Sequence, residues 1–158
     1  TKDAYEHKVT IDWLLNELLP FCSYVDADPE PKIVSLEHVH HLGTEVAGQL
    51  SSPPCSILEL VNALHPTPAV GGDPQTEALT IIKRVEGIDR RRYAGPVGWL
   101  AADGDGEFAV GIRSAEVEAN TARLFAGVGL VEDSDPQSEL EETEAKFKTM
   151  LNTFLSTT

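Results

Sequence analysis

Apolar residues near the start of the chain recur at three- and four-residue steps, with Tyr5, Val9, Trp13, Leu14 and Leu18 on one stripe. This is a helical period and predicts a helix from Lys2 to about Leu19, ended by Pro20. A stretch with Pro29, Pro31 and several acids reads as a loop, and the β-branched pair Ile33 and Val34 then opens a strand toward His41. A second strand is expected over residues 44–50 (TEVAGQL), closed by Ser51, Ser52, Pro53 and Pro54. Ser56 is placed to cap a short helix over Ile57 to Leu64. Asp73 before Pro74 predicts a capping carboxylate and a helix running from Pro74 to about Val85. Three β-type runs follow, Val97 to Ala101, Phe108 to Ile112 and Ala122 to Val131, separated by turn residues as in an antiparallel meander. The helical period returns from about Gln137 to Phe154, carried by Leu140, Phe147, Met150, Leu151 and Phe154. Helices at both ends with strands between them define an α+β class, with antiparallel sheets and helices packed outside.

Composition adds that the chain should fold. With 158 residues, 41% hydrophobic and 24% charged, it has ordinary globular usage, and at this length folding buries roughly 70% of the unfolded surface. A sizeable core is therefore expected. Charge narrows the partners: 26 acidic against 12 basic side chains give a net charge of −14, which repels phosphate backbones and anionic lipid, so neither nucleic acid nor membrane is expected. No run of about 18 apolar residues occurs and Thr1, Lys2 and Asp3 do not open a signal peptide, so a cytoplasmic protein is expected. The absence of an initial Met fits processing or truncation. Cys22 and Cys55 are far apart and read as buried thiols.

Glu139, Glu142 and Lys146 are spaced i, i+3, i+7 and fall within an arc of about 60° on the last helix. Asp3 and Glu6 make a second i, i+3 acidic pair on the first helix. Read locally, both are solvated acidic faces with a Glu142–Lys146 ion pair. If the two helices meet, four carboxylates converge, and such hard oxygen ligands suit magnesium with retained waters. Residues 103–107 (DGDGE) open like a calcium loop but place Phe108 and Ser114 where glycine and glutamate are needed, so they predict a hairpin turn. Gly127, Val128 and Gly129 form a lone GxG, too short for a dinucleotide fingerprint, whose bare backbone could approach a carboxylate closely. His38, His40 and His41 cluster without a further partner, which does not make a zinc site. Arg113, ending an apolar strand, needs an anion, either a neighbouring acid or a ligand.

These residues lie in ordered blocks, LHPTPAV from Leu64 with Gly71, Gly72 and Pro74, YAGPVGW from Tyr93, GDGEFAVGIRS from Gly104, LFAGVG from Leu124 and SDPQSELEETEAK from Ser134. Together with KDAYEH from Lys2 and HLG from His41 they resemble the chorismate-binding enzymes, over nearly the whole chain. The resemblance implies that residues 1–158 are the C-terminal portion of a chorismate-binding domain, with chorismate as small-molecule partner and Mg2+ as cofactor. It implies Glu6 and Glu142 as magnesium ligands, with Asp3 and Glu139 supporting the metal through waters and Lys146 one turn beyond. It implies Tyr93 and Arg113, with Ala94, Ile112 and the Gly127, Val128, Gly129 backbone, as the binding residues for the enolpyruvyl carboxylate. His41 matches an active-site histidine near the ring. Val128 departs from an alanine common in the family, which matters little for backbone contacts. Ala69, where ammonia-using and pyruvate-expelling members carry threonine, favours the isochorismate synthases, which serve menaquinone, siderophore or salicylate synthesis. The family's base lysine and acid glutamate lie upstream of the KDAYEH block and have no counterpart here. The chain is therefore expected to need the N-terminal portion of the same enzyme and to be inactive alone. A pyruvate-eliminating relative and a non-catalytic chorismate- or magnesium-binding module are the alternatives.

Overall fold

The structure is a computed structural model that describes residues 2–35 and 40–155. The first helix forms as its period predicts, α1 at Lys2–Leu18. The segment after it, expected to be loop, holds a strand, β1 at Cys22–Ala27, paired antiparallel with β4 at Val46–Leu50. Between them, β2 at Lys32–Ser35 pairs with β3 at His40–Gly43, so that Val34 stands opposite His41. His38 lies outside the described residues.

Helix α2 at Ile57–Leu64 starts on a reciprocal cap: the Glu59 N–H donates to Ser56 Oγ at 3.3 Å, and the Ser56 N–H donates to Glu59 Oε2 at 2.8 Å. A single turn not foreseen in the sequence, α3 at Pro68–Gly71, comes next, and α4 follows at Gln75–Val85. The expected Asp73 cap does not form. Pro74 itself takes the cap position, one residue later than anticipated, and no side chain bonds the first turn.

The expected meander is two separate hairpins. Strand β5 at Pro96–Leu100 pairs with β6 at Gly106–Val110, and β7 at Ala115–Glu118 pairs with β8 at Thr121–Leu124. The 103–107 segment makes the β5–β6 turn as predicted, with Gly104 at φ 96° and its N–H donating to Ala101 O at 3.1 Å. Between the hairpins Arg113 takes a left-handed φ of 52°, which breaks strand continuity, and the third run ends as strand at Leu124 rather than Val131. Helix α5 at Pro136–Leu155 closes the described chain. Asp135 Oδ1 accepts from the Ser138 N–H and hydroxyl, both at 2.9 Å, and Pro136 occupies the first helical position.

The architecture is thus α+β, with helices and small antiparallel sheets. Helix α1 is its hub, packing on β1, β3, α2 and α3. The sizeable core expected from composition is not seen: among the described residues only Ala94 and Phe125 are buried hydrophobics, while Ile33 and Leu130 are each 73% exposed. The accessible area of 11363 Å² compares with about 7,800 Å² for a compact monomer of this mass. Among the described residues the strands form four two-stranded ladders with no larger sheet joining them, so each ladder keeps its edges unpaired and little apolar surface is sandwiched, which is the physical reason. Cys22 and Cys55 are free thiols, half-buried rather than buried. No helix among the described residues is long and apolar enough to cross a membrane.

Removing the α2 cap with Ser56→Ala should cost about 1 kcal/mol in urea denaturation at neutral pH. The Ser56 N–H and hydroxyl hold the Glu59 carboxyl below its usual range, so this stabilisation is present above the ordinary carboxylate pKa. It disappears as pH falls through the lowered value. The part of the difference between parent and Ser56→Ala that comes from the Ser56 hydroxyl on Glu59 should therefore be lost in acid, while the part from the Glu59 N–H on Ser56 Oγ remains; a difference unchanged down to pH 3 would show that the hydroxyl–carboxylate bond contributes nothing.

Candidate active site

Both ends of the chain meet at one ammonium group. Lys2 Nζ donates to Glu139 Oε1 and Oε2 at 2.5 and 2.6 Å, and stands 3.5 Å from Glu6 Oε1 and 3.7 Å from Glu142 Oε2. Burial alone would lower the Lys2 pKa. The hydrogen bond to Glu139 and the charges of Glu6, Glu139 and Glu142 outweigh it and hold the ammonium above its ordinary value. The i, i+3 spacing on α5 puts Glu142 beside this group, and Lys146 one turn on pairs with Glu142 Oε1 at 2.5 Å. Burial would raise the Glu142 carboxyl, but Lys146, with help from Lys2, holds it below the usual range.

The Gly127–Gly129 segment lies against this cluster. Lys146 Nζ donates to Gly127 O at 3.1 Å. A Cβ built on Gly129 would fall on the Glu6 carboxylate, 2.9 Å from its Cδ, and one on Gly127 would lie 3.3 Å from the Tyr93 hydroxyl. Glycine at 129 thus lets the Glu6 carboxylate lie against the backbone, where a larger residue would make that side chain swing aside. Tyr93 stacks on Phe125 with ring centroids 5.2 Å apart, and burial raises its hydroxyl pKa against the opposing charges of Arg90 and Arg113. Ala94 is buried at φ 63°, its N–H donating to Gly111 O at 2.9 Å. Ala94 and Arg113 are thus two non-glycine residues in the left-handed region within one site, each costing about 1–3 kcal/mol and a mark of functional strain.

Two buried polar atoms here have no hydrogen-bond partner, Glu6 Oε1 and Arg113 Nε. The first is an acceptor whose cation, the Lys2 ammonium, stands 3.5 Å away without a hydrogen bond, and the second is a donor without an acceptor. Arg113, expected to need an anion, finds none among the described residues.

The structure thus gathers Glu6, Glu139, Glu142, Lys146, Gly127, Val128, Gly129, Tyr93, Ala94 and Arg113 around one segment. It does not gather Asp3, which is exposed and makes no ion pair or hydrogen bond among the described residues, so three carboxylates converge there on Lys2. Ile112 is 39% exposed, with its N–H bonded to Val110 O. His41 is exposed on β3, the strand that packs on α1. Nothing among the described residues forms a ready-made cage of three or more His, Cys, Asp or Glu side chains. The zinc arrangement of His38, His40 and His41 falls partly outside the described residues. Sequence reasoning passed over Phe125; Lys2, legible as a local partner of the α1 acids, is placed by the structure on Glu139 of α5 as well.

An acidic cluster on two helices, a glycine-rich backbone against it and a guanidinium near Tyr93 are the kinds of group that hold a small polyanion and a hard cation. The chain belongs to the chorismate-binding enzymes: the sequence model described as "Chorismate binding enzyme" matches residues 1–155. It is 44% identical over 151 residues to isochorismate synthase MenF of Bacillus subtilis (strain 168), which covers 96% of this chain and 32% of that protein. The crystal structure of DhbC from Bacillus anthracis overlays with a TM-score of 0.94 at 46% identity, over 97% of this chain and 41% of that one. Anthranilate synthase component I of Streptococcus pneumoniae TIGR4 overlays at 0.84 with 32% identity, over 94% of this chain and 34% of that one. The chain therefore spans about a third to two fifths of the length of these relatives.

Seating a methyl group where the Glu6 carboxylate lies should make Gly129→Ala cost no more than about 1 kcal/mol in urea denaturation, the low end of overpacking, because the carboxylate can swing aside. In a Glu6→Ala background the same substitution should cost much less, because the obstructing group is gone. An equal penalty in both backgrounds would contradict the contact.

Proposed function

We propose that this chain is part of an isochorismate synthase, and that its cleft holds chorismate and magnesium. The observation that carries the reading is the buried Arg113 Nε, which has no hydrogen-bond partner, in a chain of this family whose Glu6 and Glu142 carboxylates converge from two helices on one ammonium. A dicarboxylate satisfies both poles: one carboxylate meets the guanidinium directly, the other meets the acidic pole through a divalent cation. The donor set is compatible with magnesium, which is held by one or two carboxylates and keeps several waters, so the lack of a complete cage is no obstacle. Glu6 and Glu142 are the residues that would hold it. Bound there, the metal would act as a Lewis acid on the ring carboxylate while water adds at one carbon and hydroxide leaves another.

The chain's own residues bind and orient. Arg113 grips the enolpyruvyl carboxylate, Tyr93 borders it with a hydroxyl that burial keeps protonated, and the Gly127, Val128 and Gly129 N–H groups add donors. Ala94 and Ile112 line the same edge, Lys146 fixes Gly127 against α5, and His41 stands toward the ring. The reading as an isochorismate synthase draws on the names of relatives at 44% identity such as the Bacillus subtilis protein. A second reading, elimination of pyruvate, draws on the overlay with an anthranilate synthase component.

Two measurements test this. Chorismate incubated with the complete enzyme and Mg2+ should yield isochorismate without pyruvate, read by chromatography and a coupled pyruvate assay; stoichiometric pyruvate would establish the second reading. The 158-residue chain by itself should give no isochorismate above background, since general acid and base groups are worth about 10² to 10⁴ each in rate and the family's pair has no counterpart in it. Separately, Arg113→Lys in the complete enzyme should raise KM for chorismate strongly. A point-charge ammonium cannot reproduce the planar two-point grip, and losing such a bond costs about 1.5–3 kcal/mol. An unchanged KM would make Arg113 structural.

A further inference from the structure

The Arg90 guanidinium engages each of its three nitrogens. Nε donates to Glu86 Oε2 at 2.8 Å, Nη2 donates to Glu86 Oε1, and Nη1 donates to Val70 O at 2.7 Å. Val70 lies in the last turn of α3, where a carbonyl has no partner within the helix, and Glu86 ends α4. The same guanidinium stands over the Tyr93 ring, its Cζ 5.9 Å from the centroid, and the Arg90 carbonyl accepts from the Tyr93 N–H at 2.8 Å. Tyr93 also stacks on Phe125. One side chain thus ties the α3 turn and the end of α4 to the ring of Tyr93. Only a planar fork can do this, since a lysine ammonium reaches as a point charge and presents no flat face to the ring.

We propose that Arg90 is a positioning residue for the substrate: by holding the α3 turn and the Tyr93 ring in one relation, it sets where the Tyr93 hydroxyl meets the enolpyruvyl carboxylate. The proposal rests on the reading of Tyr93 as a contact of that carboxylate. Arg90 acts through Tyr93, because each of its own nitrogens already has a protein partner. The enolpyruvyl carboxylate is not a reacting group, so misplacing its contact weakens ground state and transition state alike, which raises KM and leaves kcat in place. A guanidinium that only stiffened the end of α4 would behave otherwise. Its loss would lower the folded fraction, and kcat would fall at unchanged KM.

The test measures chorismate kinetics in the complete enzyme for Arg90→Lys, for Tyr93→Phe, which keeps the ring and removes the hydroxyl, and for the two combined. Arg90→Lys should raise KM about tenfold with kcat within about twofold. Tyr93→Phe should raise KM as well, and in that background Arg90→Lys should add less than about twofold, because no hydroxyl is left to place. Full additivity, or an unchanged KM in Arg90→Lys where Tyr93→Phe raises it, would overturn the proposal while leaving the reading of Tyr93 intact. An unchanged KM in Tyr93→Phe would overturn that reading and this proposal with it. Circular dichroism establishes that Arg90→Lys folds. If it does not, Glu86→Gln carries the test: the amide offers the fork one acceptor instead of two and should raise KM about threefold in the parent and not in the Tyr93→Phe background, and an unchanged KM in the parent would overturn the proposal.

Discussion

Everything at this site depends on one ion pair between residues 137 positions apart, the Lys2 ammonium on the buried Glu139 carboxylate. Three carboxylates drawn from two helices repel one another unless a cation stands among them. Lys2 is that cation, and it joins the first turn of α1 to the first turn of α5. A buried pair of this kind is weak evidence of net stability, because desolvation offsets most of the attraction. Its consequence is arrangement. Removing Lys2 would leave the buried Glu139 carboxylate without its cation, so the pair ties the two helix ends together.

That relation settles what the intervening chain can do. The Glu6 carboxylate lies over the bare backbone at position 129, and Lys146 reaches back to hold the Gly127 carbonyl. The segment between them presents backbone rather than side chains. On its other flank Tyr93 stacks on Phe125, and Arg113 stands with a buried, unpartnered nitrogen on a left-handed residue. Strain at Ala94 and Arg113 and the unpartnered Arg113 nitrogen gather in the same region, the pattern expected where a ligand completes the structure. The thin core and the many exposed apolar residues agree with a chain that spans about a third to two fifths of its relatives' length.

Periodicity made the two long helices legible, and with them the shared faces of Glu139, Glu142 and Lys146 and of Asp3 and Glu6. Whether those faces met could not be read from spacing, since their convergence is a tertiary fact carried by Lys2. Strand β1 was hidden because Cys22–Ala27 sits among prolines and acids that mimic a loop, and its pairing partner lies some twenty residues on. Asp73 looked like a cap because local chemistry allows it, yet Pro74 takes the position and the helix starts one residue later. The meander failed at Arg113, whose backbone leaves the strand region; the same residue was legible as a functional candidate through its charge beside an apolar run. The blocks resembling chorismate-binding enzymes carried the family, which the comparisons bear out. Periodicity and spacing alone reached no further than an acidic α+β protein.

The central claim of this account is that Glu6 and Glu142, from helices at opposite ends of the chain, hold one divalent cation between them. Crystals of the chain soaked in Mn2+, whose anomalous scattering marks its position without ambiguity, test it most directly. The account predicts a single strong anomalous peak about 2.1–2.2 Å from one oxygen of each carboxylate, with Lys2 still on Glu139. A peak bound to Glu139 or to Asp3 without Glu6, or manganese absent from the cleft while it occupies other acidic residues, would contradict it.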